Sequence, residues 1–398
     1  MASISHLQLS LLLLLPSLTF TITLASSSWS SAKEINYNKW ISWNIKNYQQ
    51  RATLKGTESI VLEARGRGRG AARKVVLLDA KLRKAEMNKV SLSVSQNGSG
   101  GDFKTIGDAL NSIPLPNTNR VILLIKPGVY RYDRGDSREK ISIPRALPFV
   151  TFAGDANEPP TITGNDTASV AGRDGTPLGT FHSATVAVDA NFFVAINVKY
   201  ENTAPHEIGS IGGQGVALRI SGTKAAFYNC SFYGTQDTLY DHKGLHYFNN
   251  CFFQGSVDFI FGYGRSLYEN CYLNSIAKKV ASLTAQKRSN ASLGSGFLFK
   301  DSVVTGSGQV YLGRAWGEYS RVVFSYTFLD KVVLPQGWSD WGDQKRDSGV
   351  YYGEYKCSGP GANSTGRVPW ARMLTDEEAE PFIGTHYVEG NTWLIKPF

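Results

Sequence analysis

Cysteine is scarce in this chain: 398 residues contain four, Cys230, Cys251, Cys271 and Cys357, none of them in a Cys-x-x-Cys pair. That argues against a small disulfide scaffold and, with no His at metal-ligand spacing, against a zinc site, so no metal is expected. Charge is also sparse at 19% of residues, and acidic groups are the scarcer kind, 33 Asp and Glu against 42 Lys and Arg, for a formal charge of +9. After the N-terminus no apolar run is long enough to cross a bilayer. No segment has the pattern of a nucleic-acid module. What is present is 42% apolar residues, 12% aromatics and 40 glycines, the composition of a β-rich body with many tight turns.

Residues 7–15 are mostly apolar, Pro16 interrupts them, and Thr-rich sequence leads to Leu24-Ala25 and a run of serines. Residues 1–25 are therefore expected to be a secretory signal peptide, although the basic n-region is missing. A membrane anchor is the alternative, disfavoured by Ser10, Pro16 and Ser17. Sequons at Asn97, Asn165, Asn229, Asn290 and Asn363 agree with an exported glycoprotein. For such a chain, excess positive charge points to acidic polysaccharide as the partner, with no nucleic acid and no membrane. Residues 26–89 form a polar, irregular leader with Trp40, Trp43 and a basic, Gly-rich stretch at residues 65–74. That stretch is expected to be a solvated linker, with attachment to acidic polymer or processing as alternatives. Residues 79–89 suit a short helix.

From Val90 onward the chain changes to short strand-like runs, and one pattern recurs. Asn229-Cys230-Ser231-Phe232 is followed by Asn250-Cys251-Phe252-Phe253 and Asn270-Cys271-Tyr272-Leu273, with cysteines 21 and then 20 residues apart. Weaker echoes stand at Asn197-Val198-Lys199-Tyr200, at Asp301-Ser302-Val303-Val304 and at Tyr326-Thr327-Phe328. A period near twenty is the signature of a solenoid whose coils pair strand on strand, so residues 90–398 are expected to form one all-β parallel β-helix. The three cysteines would then stack in one interior column. Free thiols and a disulfide between adjacent coils are both compatible with strands about 4.8 Å apart.

Two carboxylates lie in this region, in Gly234-Thr235-Gln236-Asp237-Thr238-Leu239-Tyr240 and Gly255-Ser256-Val257-Asp258-Phe259-Ile260-Phe261-Gly262. They are 21 residues apart, one coil, so Asp237 and Asp258 are expected side by side on one face. Asp258 stands in an apolar run, where an unpaired charge is costly. A lone buried Asp usually caps a turn, but two at coil spacing suit an acid and a base or nucleophile. Gln214, in Gly213-Gln214-Gly215, lies one coil before Gln236, and two stacked amides can donate to one developing oxyanion. Leu312-Gly313-Arg314-Ala315-Trp316 adds a guanidinium whose fork fits a carboxylate, and an indole that can stack on a sugar.

At these segments the chain resembles the catalytic domain of plant pectin methylesterases, from about Val90 to Phe398, in the type without an inhibitor-like pro-domain. The resemblance implies a single-stranded right-handed parallel β-helix that hydrolyses methyl esters of homogalacturonan in the cell wall through an aspartyl acyl-enzyme. It implies Asp258 as nucleophile, Asp237 as general acid and then base, Gln214 and Gln236 as oxyanion donors and Arg314 as the group that orients Asp258. Thr180 (in Gly179-Thr180-Phe181-His182), Gln214, Arg314, Trp316 and Trp338 are the implied substrate contacts. A secreted monomer is expected, with pectin as substrate and a proteinaceous pectinesterase inhibitor as a further partner.

Four departures from the family pattern bear on loop geometry. Gly128-Val129-Tyr130-Arg131 runs into Tyr132, with the next matching Glu at Glu139, as though residues 133–137 were inserted. Gly215 replaces Ala, Tyr263 replaces Asn and Ala315 replaces Pro. A pectate lyase or polygalacturonase would share the fold, but the calcium-binding carboxylates of the one and the close Asp pair with downstream His of the other are missing. A non-catalytic pectin-binding wall protein is the alternative from another class, and methanol release from esterified pectin separates it from an esterase.

Overall fold

The computed structural model of the protein describes residues 78–98, 100–131, 140–205 and 211–395. The expected signal peptide, most of the leader with Trp40, Trp43 and its basic stretch, and residues 132–139 lie outside them.

Strands of mostly three to five residues, each closed by a turn, stack in parallel. One sheet of eleven strands begins at Val90–Val94, continues through Val121–Ile125 and Val150–Gly154, and ends at Arg372–Met373. A second sheet of 14 strands holds two rows. One row runs from Val129–Arg131 to Phe252–Gly255 and the other from Ile141–Ile143 to Ile260–Gly262; both merge on the long strand Tyr272–Gln286. Each coil gives one strand to each row and pairs in parallel with the next, as in Leu218↔Leu239 and Leu239↔Ile260. This is the expected parallel β-helix.

The recurring asparagine makes the corner. Asn229, Asn250 and Asn270 have φ of 51°, 54° and 56°, and the weaker echoes Asn197, Asp301 and Tyr326 share that left-handed geometry. Asn tolerates this region better than most residues, which is why the repeat shows it before each strand. The next residue then points inward. Cys230, Cys251 and Cys271 are buried free thiols, each donating to a backbone carbonyl, so of the two arrangements open to the cysteines the column of thiols is the one present. Beside them Phe227, Phe248, Tyr268, Phe299 and Phe324 stack at centroid distances of 4.7, 4.6, 4.6 and 4.5 Å. These distances follow the spacing of the strands that carry the rings.

The outer face of the eleven-stranded sheet is covered. Helix α1, Ala80–Met87, is capped by Asp79, whose side chain accepts from the amides of Lys81 and Leu82. Its Leu82 and Ala85 bury in one apolar cluster with Ala226, Tyr228, Leu267, Leu298, Tyr387 and Trp393. Burying Leu82 contributes about 2 kcal/mol. The solenoid body thus takes in this helix, which precedes the Val90 boundary read from the sequence. The row from Ile141–Ile143 to Ile260–Gly262 carries a smaller cluster of Ala184, Val216, Phe261 and Ala285, with the half-buried Tyr240 and Trp316 packed against it.

Candidate active site

The corner that leads into that row carries the chemistry. Its turns are tied coil to coil by backbone bonds: Gly215 N to Gln236 O at 3.2 Å, Asp237 N to Val257 O at 3.1 Å, and Asp258 N to Ser282 O at 2.7 Å. Gln214, Gln236 with Asp237, and Val257 with Asp258 therefore occupy successive levels of one corner. Asp237 and Asp258 both sit in the left-handed region, with φ of 66° and 49°. Holding a non-glycine residue there costs on the order of 1 kcal/mol, and such strain concentrates at functional sites.

Arg314 stands on the strand Val303–Ala315, two levels beyond Phe261 in the ladder Tyr240↔Phe261↔Ala285↔Arg314. Its Nε donates to both oxygens of Asp258, at 2.8 and 3.1 Å, and its Nη2 donates to Oδ2, a two-pronged grip on one carboxylate. The Asp258 side chain is 6% exposed and that of Arg314 32%. The pair thus lies at a surface edge, one partner dry and the other reaching water.

Burial pushes the Asp237 carboxyl well above the ordinary carboxylate range, the Asp258 charge adds to the rise, and Arg314 opposes it only from a distance. Burial raises Asp258 as well, but the Arg314 hydrogen bonds and charge pull it back. Asp258 is therefore the stronger acid, and a single proton shared by the pair resides on Asp237.

Gln214 is held by the short helix Gly179–His182, its Nε2 donating to Thr180 Oγ1 at 3.0 Å. One amide hydrogen remains to be aimed elsewhere. The half-buried Gln236 side chain makes no hydrogen bond among the described residues. Gly215, which departs from the family pattern, has a local reason: a Cβ there would lie 2.8 Å from Asn202 Oδ1 and 2.9 Å from Asp166 O. Asn202 fills that space and donates to the carbonyls of Asp166 and Val216.

An aromatic floor flanks the carboxylates. Tyr240 stacks on Phe261 at 4.3 Å, and Trp316 tilts against Phe261 at 6.1 Å with Lys287 Nζ 4.1 Å from its ring centroid. Further along, Phe181 covers the Arg219 guanidinium at 3.7 Å, and Tyr263 OH meets His242 Nε2 at 2.8 Å while Ser221 Oγ meets Nδ1 at 2.9 Å. Burial, with help from Lys243 and Arg219, lowers His242 to about 4. Tyr263 therefore anchors a neutral imidazole at neutral pH.

Trp338 is a correction. It was expected in the groove, but it is 1% exposed, stacks on Tyr352 at 4.4 Å, and donates from Nε1 to Glu354 at 3.2 Å. The reason is register: Trp338 pairs with Gly313 in the inward ladder of Leu239 and Ile260, and the glycine leaves room for the indole. The groove has Trp341 instead, three residues on, 37% exposed and with the Arg314 guanidinium 3.9 Å from its ring centroid. The only sequence sign was a second Trp three residues from the first, which in a turn places the two on different faces.

Residues 91–391 match the sequence profile described as Pectinesterase. Pectinesterase QRT1 of Arabidopsis thaliana is 43% identical over 303 residues, 76% of this chain and 78% of the relative. Pectinesterase 31 of the same plant is 41% identical over 303 residues, 74% and 91%. Among solved structures, a pectin methylesterase from carrot aligns with a TM-score of 0.67 and 33% identity, covering 76% of this chain and 94% of its own. Pectin methylesterase PemA from Erwinia chrysanthemi aligns with a TM-score of 0.63 and 27% identity, covering 75% and 96%. Likeness at this level, along nearly the whole solenoid and through the corner that holds both carboxylates, shows that the chain belongs to the pectinesterase family.

Proposed function

We propose that the demethylation of pectin, the activity of this family, proceeds here through an acyl-enzyme on Asp258. The carrying observation is the asymmetry of the carboxylate pair: Arg314 grips Asp258 through two nitrogens, while Asp237 is buried with no ion pair among the described residues. A related pectin methylesterase, 26% identical with a TM-score of 0.62, has been solved in complex with a hexasaccharide, which supports a sugar polymer as the occupant of the corresponding groove.

An ionised Asp258 oxygen attacks the ester carbonyl of a methylated galacturonate. The negative charge that develops on that carbonyl oxygen is met by the amides of Gln214 and Gln236. As the bond to methoxide breaks, Asp237 passes its proton to the leaving oxygen and methanol departs, leaving a mixed anhydride on Asp258. Asp237, now ionised, takes a proton from water; the hydroxide formed attacks the acyl carbon, the bond from that carbon to the Asp258 oxygen breaks, and the galacturonic acid released gives its proton to solvent, with Asp258 ionised and Asp237 protonated as at the start. Trp316, Trp341 and the Tyr240–Phe261 stack support the sugar faces, and Thr180 holds Gln214 in position. No cofactor takes part.

Residues 1–25 serve as a secretory signal, the leader of residues 26–89 ends in helix α1 docked on the solenoid, and the secreted enzyme works in the cell wall as a monomer open to a proteinaceous inhibitor. The sequons and the positive charge support this reading. The test is methanol release from methyl-esterified pectin by the purified protein, with Asp258→Asn as control. Release by the wild type and none by the variant is expected; pectin binding without methanol would make the protein a non-catalytic wall component.

A further inference from the structure

The strand that carries Arg314 ends at Ala315, and the backbone leaves the ladder through Ala315 and Trp316 in a tight three-residue turn closed by Trp316 N donating to Arg314 O at 3.0 Å. Such a turn is loose on its own, because one bent hydrogen bond is all that shapes it. Here two consecutive carbonyls of the turn face one guanidinium: Arg346 Nη1 donates to Ala315 O and, at 3.1 Å, to Trp316 O. Arg346 comes from the 3₁₀ turn Gln344–Arg346, and its Nε bonds Asp343 at 3.4 Å, so the fork is held from behind. Its side chain is 19% exposed.

We propose that Arg346 is a positioning residue for the esterase reaction, a clamp on the Ala315–Trp316 backbone that sets the indole of Trp316 against the sugar. The inference rests on Trp316 as a substrate contact. Arg346 acts on the polymer only through that backbone. Arg314 is held independently, by its ladder pairing with Ser339 and by Asp258, so release of the clamp disturbs Trp316 and leaves the reacting groups in place. Ala315 has no positive φ, and the inverse form of such a turn needs a φ close to the value proline imposes. A proline at 315 thus replaces by covalent stiffness what Arg346 supplies by hydrogen bonds.

The experiment is steady-state kinetics on methyl-esterified pectin, with thermal melting beside it. Arg346→Ala is expected to raise KM about fivefold while kcat stays within about twofold, the pattern of lost binding that does not change between ground and transition states. Arg346→Lys keeps the charge without the fork and is expected to fall between wild type and Arg346→Ala. Adding Ala315→Pro to Arg346→Ala is expected to bring KM back to within about twofold of wild type. An unchanged KM in Arg346→Ala beside a raised KM in Trp316→Ala would overturn the clamp alone. Loss of melting temperature with no recovery of KM by the proline would also overturn it, in favour of a purely structural arginine. An unchanged KM in Trp316→Ala would remove the substrate reading of Trp316 and the clamp together.

Discussion

Asp237 and Asp258 occupy the same left-handed corner of successive coils, and two residues on, Leu239 and Ile260 pair in register. The two residues are thus set one strand spacing apart by the backbone before any side chain acts. Their different fates come from what reaches them afterwards, the Arg314 fork for Asp258, and burial with the Asp258 charge for Asp237.

Asp237→Asn keeps the size of the side chain and suits the left-handed backbone, so the fold should hold. Turnover is expected to fall by roughly 10²- to 10⁴-fold, the worth of a positioned acid and base. Methanol release under saturating pectin measures it; turnover within a few-fold of wild type would remove Asp237 from the reaction.

The same variant tests the electrostatics through stability. Asp237 is raised in the fold, so the folded state holds its proton more tightly than the unfolded chain does, and the favourable contribution is complete below the ordinary Asp value of 3.8. It is lost as pH rises towards the folded value. Melting curves should therefore show Asp237→Asn gaining on wild type as pH climbs from 3.8 to neutrality, and the gap closing again in acid. A gap that widens towards acid has the wrong sign. In activity, the acid limb follows protonation of the pair's stronger acid, Asp258, and the alkaline limb follows loss of the Asp237 proton.

Arg314→Lys retains the charge but not the two-pronged contact with Asp258 or the stacking on Trp341. We expect kcat to drop by about tenfold or more, about 1.4 kcal/mol of transition-state stabilisation, with little movement of KM. A raised KM with kcat intact would make Arg314 a substrate contact instead.

The two tryptophans should part company. Trp338→Ala empties a fully enclosed site and is expected to cost about 3–5 kcal/mol of stability, seen as a large fall in melting temperature. Trp341→Ala, at the surface, should melt like wild type and raise KM. Equal melting losses in both would place Trp341 in the core.

Much of this architecture was legible in the chain because a solenoid repeats its local rules. The Asn-Cys steps of 21 and 20 residues mark corners and coil length, and once coil length is known, Asp237 and Asp258 must be neighbours, as must Gln214 and Gln236. Helix α1 was visible too, through Asp79 and the residues after it. Its place on the solenoid was not, since Leu82 packs on Trp393, more than three hundred residues away.

The fold, and which of the corner residues are coil-to-coil neighbours, follow from the sequence, because strand pairing between adjacent coils is a short-range relation that spacing expresses directly. Which way each side chain faces, and which groups from other coils meet it, depend on how the coils assemble. Trp338 and Trp341 are equally aromatic and only three residues apart, and it took the Gly313 register to send one inward and leave the other under Arg314. Spacing does not mark Arg314, 56 residues on, as the counter-ion of Asp258, a pairing that only the family resemblance implied, and nothing near Ala315 marks Arg346. Such pairings depend on where separate coils bring their outer side chains, a property of the assembled surface that no local pattern encodes.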